Sequence, residues 1–466
     1  MQQIFNRRRL ILWGLGMLLL SLVTIGVLSR RPAGLTWKGK SASYWIGRLG
    51  YLDLPNGKIS AEEFLFAAGP AVVPELTRGL SLRDSWLYDR WTDVYNKLGK
   101  WRRFFKLPTG RAQYRGHCAR GLGLLGPAAA QAVPALLHTL DDNVPWVGSA
   151  AADALGRIAA DKARVVPKLV AGLSSTDSDY RLGCVIGLSH SLPYPEAAAA
   201  LRKLISNPDA NLRAWVAGSL WRDESDPEAT FTTLVTALSD SNATVRDRAA
   251  QSLGKLRHKR EASAKALLAG LKAETPAGGN EIVVWKIVTA LGELGVAAGP
   301  AVPLLTRLAA QTNTSGTLSI VALARIEPQN ATWSDRLVER LDGNDAFWAA
   351  SELGRHGDRA RGAVEHLRQI AETADSWQTK AMAATAAWRL DPSSPNPLKR
   401  IADELPQQQS GHYEVIQLLG ELGPAAKIAV PALRQLRFSH DIMAHDYANE
   451  ALQKIAPEYV SDPWRN

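Results

Sequence analysis

Cysteine is nearly missing: the 466 residues hold two, Cys118 and Cys184. Two thiols cannot build a disulfide scaffold or a Cys-based zinc cluster. Histidine is sparse too. The nine are scattered, and His440 and His445, five apart, do not share the helical face that a metal pair needs. No glycine-rich phosphate loop is present and no serine sits in a nucleophile elbow. The carboxylate pairs Asp141-Asp142 and Glu62-Glu63 read as helix-end and surface charges. No enzymatic activity, cofactor or metal ion is therefore expected. Basic excess is also missing over most of the chain. Residues 1–120 carry 20 Lys/Arg against 7 Asp/Glu, whereas residues 121–466 carry 35 against 38. A nucleic-acid-binding array carries its basic residues along its whole length, so no nucleic-acid partner is expected.

What is present begins with an apolar run. Arg7, Arg8 and Arg9 precede residues 10–28, nineteen residues without a charge that include Leu10, Leu15, Leu20 and Leu28. At 1.5 Å per residue this run spans a hydrocarbon core as one helix. It exceeds the apolar region of about 7–15 residues in a cleaved signal peptide, which favours an uncleaved anchor. Arg30, Arg31, Lys38, Lys40 and Arg48 follow on the other flank, so loop charge alone does not set the orientation. A short tail with three arginines is hard to translocate. The expected arrangement is a single-pass membrane protein with its N-terminus inside and its large domain outside. The expected division is a basic tail and anchor over 1–31, a linker and lead-in over 32–63, a first repeat over 64–120, and a repeat array over 121–466.

The repeats are visible in the phrase Leu155-Gly156-Arg157-Ile158. Close copies stand at Leu122, Leu253, Leu291 and Leu419, and weaker ones at Leu188, Leu220, Leu323, Leu353, Ala387 and Leu452. Ten intervals cover the 330 residues from Leu122 to Leu452, a mean of 33. A fixed period of this size marks a stacked array in which each unit contacts its neighbours. With the Leu as position zero, positions −8, −4, −1, zero and +3 are apolar or small, as in Val245, Ala249, Ser252, Leu253 and Leu256. That spacing is one face of an α-helix. Asp179, Asn211, Thr244 and Asn344 stand where N-caps are expected. A second, shorter helix with proline in its first turn follows each phrase, as in Val133-Pro134-Ala135-Leu136. Each unit is thus an antiparallel helix pair, and no sheet is expected. Cys118 and Cys184 share position −4 two periods apart. Helices packed at 8–10 Å place them roughly 20 Å from each other, so both should be buried free thiols.

The unit Leu234-Val235-Thr236-Ala237-Leu238-Ser239-Asp240, with Thr244-Val245-Arg246, Ala249-Ala250 and Leu253-Gly254, resembles the HEAT repeat in its short bacterial form. The phrase Gly126-Pro127-Ala128-Ala129 leading to Val133-Pro134 recurs around Gly299-Pro300 with Val302-Pro303, and around Gly423-Pro424 with Val430-Pro431. The front end, Trp37-Lys38-Gly39-Lys40-Ser41 with Tyr44-Trp45, looks like the lead-in of membrane-anchored bacterial HEAT proteins. The resemblance covers residues 64–460 and implies an all-α, right-handed α-solenoid of about eleven helix pairs behind one N-terminal transmembrane helix. Arg246 has counterparts at Arg181 and Arg213, but Gly148 takes that place in its own unit, so a continuous Asp–Arg ladder is not expected. The His-Glu steps of HEAT-like metal hydroxylases are missing.

Two surfaces stand out as candidates. An insertion over residues 81–107 breaks the period with Trp86, Trp91 and Trp101 among Arg102, Arg103 and Lys106. It suits an anionic lipid interface or a partner groove, or serves as a cap on the first repeat. Position −5 of the array includes Trp215, Arg248, Lys286, Trp348 and Tyr447, a mixture suited to a concave protein-binding face. The competing reading packs Trp215 and Trp348 sideways between repeats. Trp221 and Trp388 replace glycine after the phrase leucine and are expected to wedge neighbouring helices. The function expected is protein–protein scaffolding at a membrane through unknown protein partners. The alternatives are an adaptor or regulatory subunit of a membrane enzyme or transport complex, and a HEAT-like lyase handling a chromophore.

Overall fold

The computed structural model describes residues 35–49, 61–83, 110–158, 160–275, 279–408, 412–437 and 442–461. The expected membrane anchor (Leu10, Leu15, Leu20, Leu28) and the insertion residues Trp86, Trp91, Trp101, Arg102, Arg103 and Lys106 lie outside the described residues. A two-residue hairpin, β1 (Thr36–Trp37) and β2 (Lys40–Ser41), leads into α1 (Ala42–Ile46) and α2 (Ala61–Ala68). The hairpin corrects the expectation of no strand pairing. Lys38 and Gly39, both at positive φ, make its turn.

Eleven helix pairs follow among the described residues. They are α3 (Val73–Leu80) with α4 (Arg111–Leu125), α5 (Val133–Thr139) with α6 (Pro145–Ile158), α7 (Lys162–Gly172) with α8 (Ser178–His190), and α9 (Pro195–Lys203) with α10 (Ala210–Ser219). Then come α11 (Pro227–Leu238) with α12 (Ala243–Lys255), α13 (Arg260–Glu274) with α14 (Glu281–Leu294), α15 (Val302–Ala309) with α16 (Thr314–Ile326), and α17 (Thr332–Val338) with α18 (Ala346–Leu353). The last are α19 (Val364–Thr373) with α20 (Trp377–Leu390), α21 (Leu398–Glu404) with α22 (His412–Leu422), and α23 (Val430–Leu436) with α24 (Ile442–Ile455), closed by α25 (Glu458–Ser461). The even-numbered helices from α4 to α24 carry the Leu phrase, except that α10 ends one residue before Leu220, and stack on one another in sequence.

The periodic stripe is the core. Val245, Ala249, Ser252 and Leu253 are all fully buried, and Leu256 nearly so. Glycine after the phrase leucine lets successive helices approach closely. A Cβ added at Gly292 would lie 3.0 Å from the Cα of Ala322, the small residue just before the next phrase leucine. The same meeting recurs between Gly254 and Ala290, and between Gly420 and Ala451. A second glycine, four places after the phrase leucine, ends the helix. Gly126 and Gly295 both stand at φ +57°, where other residues are strained. The counterpart of Gly126 is therefore Gly295. The Gly299-Pro300 step, which the sequence pattern pairs with Gly126-Pro127, lies inside the 3-10 turn that follows. The caps are also shifted from expectation. Asp177, Asp209 and Asn242, each two residues before the expected Asp179, Asn211 and Thr244, accept from the first backbone N–H groups of α8, α10 and α12. Asn344 is not a cap either; α18 starts after Asp345 without a side-chain cap.

Arginines at position −7 stitch successive loops. Arg115 donates to both carboxylate oxygens of Asp142, at 2.8 and 2.9 Å, and to the carbonyl of Leu82 at 2.9 Å. Arg213 grips Asp240 in the same two-pronged way, and Arg246 pairs with Glu274 at 2.5 Å while donating to the carbonyl of Asp240. The series is interrupted at Gly148, where the ring of Tyr180 would lie 3.1 Å from an added Cβ. It is a set of separate rungs, as the sequence pattern suggests.

The lead-in residues 42–49 fold onto the first pair. Ile46 and Leu49 are fully buried, Trp45 stacks against Phe64, and its indole N–H donates to the carbonyl of Trp37. Cys118 and Cys184 are buried free thiols, as the period predicts. Among the described residues one stretch, Glu281–Ala309, is long and apolar enough to cross a membrane. It is two helices, α14 and α15, broken at Gly295, and its apolar stripe is explained by burial in the stack.

Candidate functional site

The array curls until its last pair meets its middle. Arg222, in the turn after α10, approaches Asp446 and Glu450 of α24 at 3.5 and 4.0 Å. Lys255 at the end of α12 approaches Glu450 at 4.0 Å. These contacts join residues more than 190 positions apart, so the phrase-bearing helices face the inside of the turn. The period implies contact between neighbouring units, and these pairs add contacts across the turn.

Position +2 of the phrase supplies the charges on this inner side. The sequence shows the row as Arg157, His190, Arg222, Lys255, Glu293, Arg325, Arg355, Arg389 and Glu421. Arg157 pairs with Asp153 at 2.8 Å, and Asp153 also faces His190 at 3.4 Å. Glu352 is buried. Burial alone would raise its carboxyl, but Arg325 at 2.8 Å, with His356 and Arg355, holds it down at about 2. Arg355 also reaches Glu421 two repeats further on. Burial pushes the Glu293 carboxyl up, opposed by Lys255, Arg325 and Lys286. His445 on α24 is half-buried, and desolvation with the charges of Arg157, His190 and Arg437 keeps it well below the ordinary histidine value. It accepts from Asn449 at its Nε2 and donates from Nδ1 to the carbonyl of Arg437, the tautomer of a neutral ring. The +2 row escapes a reading centred on position −5, although the alternation of Arg, Lys and Glu inside the Leu-Gly phrase is its signal.

Between the two closing parts lies a chamber of about 480 Å³. Trp215 of α10, Arg248 of α12 and Tyr447 of α24, three of the position −5 candidates, line it together with Trp221, Lys255 and Glu450. Lys286 stands on the next phrase-bearing helix, electrostatically coupled to Asp247 and Glu293. Trp348 is remote from the chamber and packs against Phe347, ring centres 4.5 Å apart. Both Trp215 and Trp348 also rest partly on the core. Trp388 packs on the core. Trp221 lines the chamber. The helix α10 stops at Ser219, and a 3-10 turn over Leu220–Arg222 carries the ring to the chamber. There it lies beneath Arg222 and Lys255, 4.5 and 4.6 Å from the ring centre.

Residues 109–189 and 198–279 match the family model for HEAT repeats. These two stretches span α4–α8 and, from within α9, the helices up to α13. A comparison with curated proteins found no match. Among solved structures the chain is similar to an engineered protein at 20% identity and a TM-score of 0.34, covering 82% of this chain and 98% of that one. It is also similar to the complex of CpcE and CpcF of phycocyanin lyase from Nostoc, at 20% identity and a TM-score of 0.31, over 62% of this chain and 94% of that one. A third is Kap95p bound to RanGDP, at 12% identity and a TM-score of 0.42, over 90% of this chain and 68% of that one.

Proposed function

We propose that this chain is a non-catalytic scaffold of HEAT repeats, held at a bacterial inner membrane by residues 10–28 with the array in the periplasm, that binds protein partners along its inner face. The observation that carries the reading is a pair of position −5 residues beyond the closed region, Lys286 on α14 and Trp348 on α18, with the buried Leu318 between them. Lys286 makes no ion pair among the described residues, and Trp348 is half-buried beside Phe347. A cation and an aromatic pair on a pre-ordered face bind a partner segment at little ordering cost. An adaptor or regulatory subunit of a membrane complex is a narrower form of the same role. The test is a crosslinking pull-down from native membranes with the full chain and with the double substitution Lys286→Glu, Trp348→Ala. A partner recovered in fixed ratio with the wild type and reduced about tenfold or more with the variant is the expected result. Recovery of the same proteins at the same level with both would overturn the reading.

A further inference from the structure

We propose that the chamber between α10, α12 and α24 is a binding site for a small planar organic anion, an aromatic or conjugated body bearing one carboxylate. Its volume of about 480 Å³ falls within the roughly 300–1,000 Å³ of small-molecule sites. Three flat rings, Trp215, Trp221 and Tyr447, line it, and such rings stack planar bodies. The charges select the head group. Arg222 and Lys255 already face Asp446 and Glu450, and His190 already faces Asp153. Arg248 lines the same space and forms no hydrogen bond or ion pair among the described residues. Its stem lies along the bare backbone of Gly218, where an added Cβ would approach Arg248 Cδ to 3.3 Å. A single anionic group therefore finds one unpaired guanidinium, which can hold a carboxylate through two parallel hydrogen bonds. A second negative group would meet Asp446 and Glu450, which disfavours dianions and phosphates. The site exists only while the last pair closes on the middle of the array, because α24 supplies one wall.

Calorimetric titration of the full chain with naphthalene-2-carboxylate, and with the uncharged naphthalene-2-carboxamide, tests this. Partitioning into a solubilising detergent is common to all variants and cancels. The wild type is expected to bind the carboxylate saturably at one site. Arg248→Gln should weaken the carboxylate about tenfold and leave the carboxamide within about twofold, which also shows that the variant is folded. Trp215→Ala should weaken both probes. No saturable binding by the wild type, or equal carboxylate affinity in wild type and Arg248→Gln, would overturn the proposal. Neither result bears on the protein-binding face at Lys286 and Trp348, which none of these substitutions touches.

Discussion

Replacing Asp142 by alanine is expected to destabilise the N-terminal part of the array by about 3–5 kcal/mol, the usual cost of breaking a buried ion pair by removing one partner. The Arg115 and Asp142 side chains are only 2% and 1% exposed. Without the carboxylate, the guanidinium stays buried and keeps its bond to the Leu82 carbonyl but loses both strong hydrogen bonds. Asp142 also accepts from the N–H of Val144, so the loop entering α6 loosens as well. Burial by itself would raise the Asp142 carboxyl. Hydrogen bonds from Arg115 and the Val144 N–H, with the charges of Arg115 and Arg83, outweigh it and hold the group below its ordinary 3.8. A lowered folded value means the stabilisation is complete above about pH 3.8 and is lost as the pH falls through the lowered value. Urea unfolding at neutral pH followed by a pH series checks this. The difference between wild type and variant should be largest at neutral pH and shrink in acid. Replacing the pair by Arg115→Met with Asp142→Leu should restore much of the loss, because no unpaired charge then remains buried.

The second large effect is expected at Leu253→Ala, about 2–5 kcal/mol from lost methyl burial and the cavity left behind. Leu253 is fully buried where α12 meets its neighbours. In an open stack the damage would stay with the adjacent pairs. Here α12 ends in Lys255, which faces Glu450 across the turn, so the damage should reach further. Hydrogen exchange should show lost protection in α10–α14 and again in α24, with α18–α20 between them retained. Uniform loss along the chain, or loss limited to α10–α14, would contradict closure.

The helix pairs were legible because each is defined locally. The stripe at Val245, Ala249 and Leu253, the close-packing glycines and the spacing of Cys118 from Cys184 all depend on one period. Caps were less legible. Around α8 the sequence offers Ser175, Thr176, Asp177, Ser178 and Asp179 in a row, and any of their oxygens could cap a helix. The place of Trp221 in the chamber depends on Lys255, a residue of the next pair, and its own segment does not set it. Closure was the least legible feature. It accumulates from small rotations over the pairs between α10 and α24, and no local pattern encodes that sum. Only the opposition of Arg222 and Lys255 to Asp446 and Glu450 hints at it. Trp215, Arg248 and Tyr447 could be placed on one row from sequence, but not around one chamber.

Zero-length carbodiimide crosslinking of the purified full chain, read by mass spectrometry, tests closure most directly. The Lys399–Asp403 pair, one helical turn apart at 2.9 Å, is an internal control that forms in any folded array. Closure is expected to yield a bond between the Lys255 amine and the Glu450 carboxylate, which face each other at 4.0 Å, and Glu450→Gln should abolish it. Formation of the Lys399–Asp403 link without any Lys255–Glu450 link would show an open array and contradict the closed one described above.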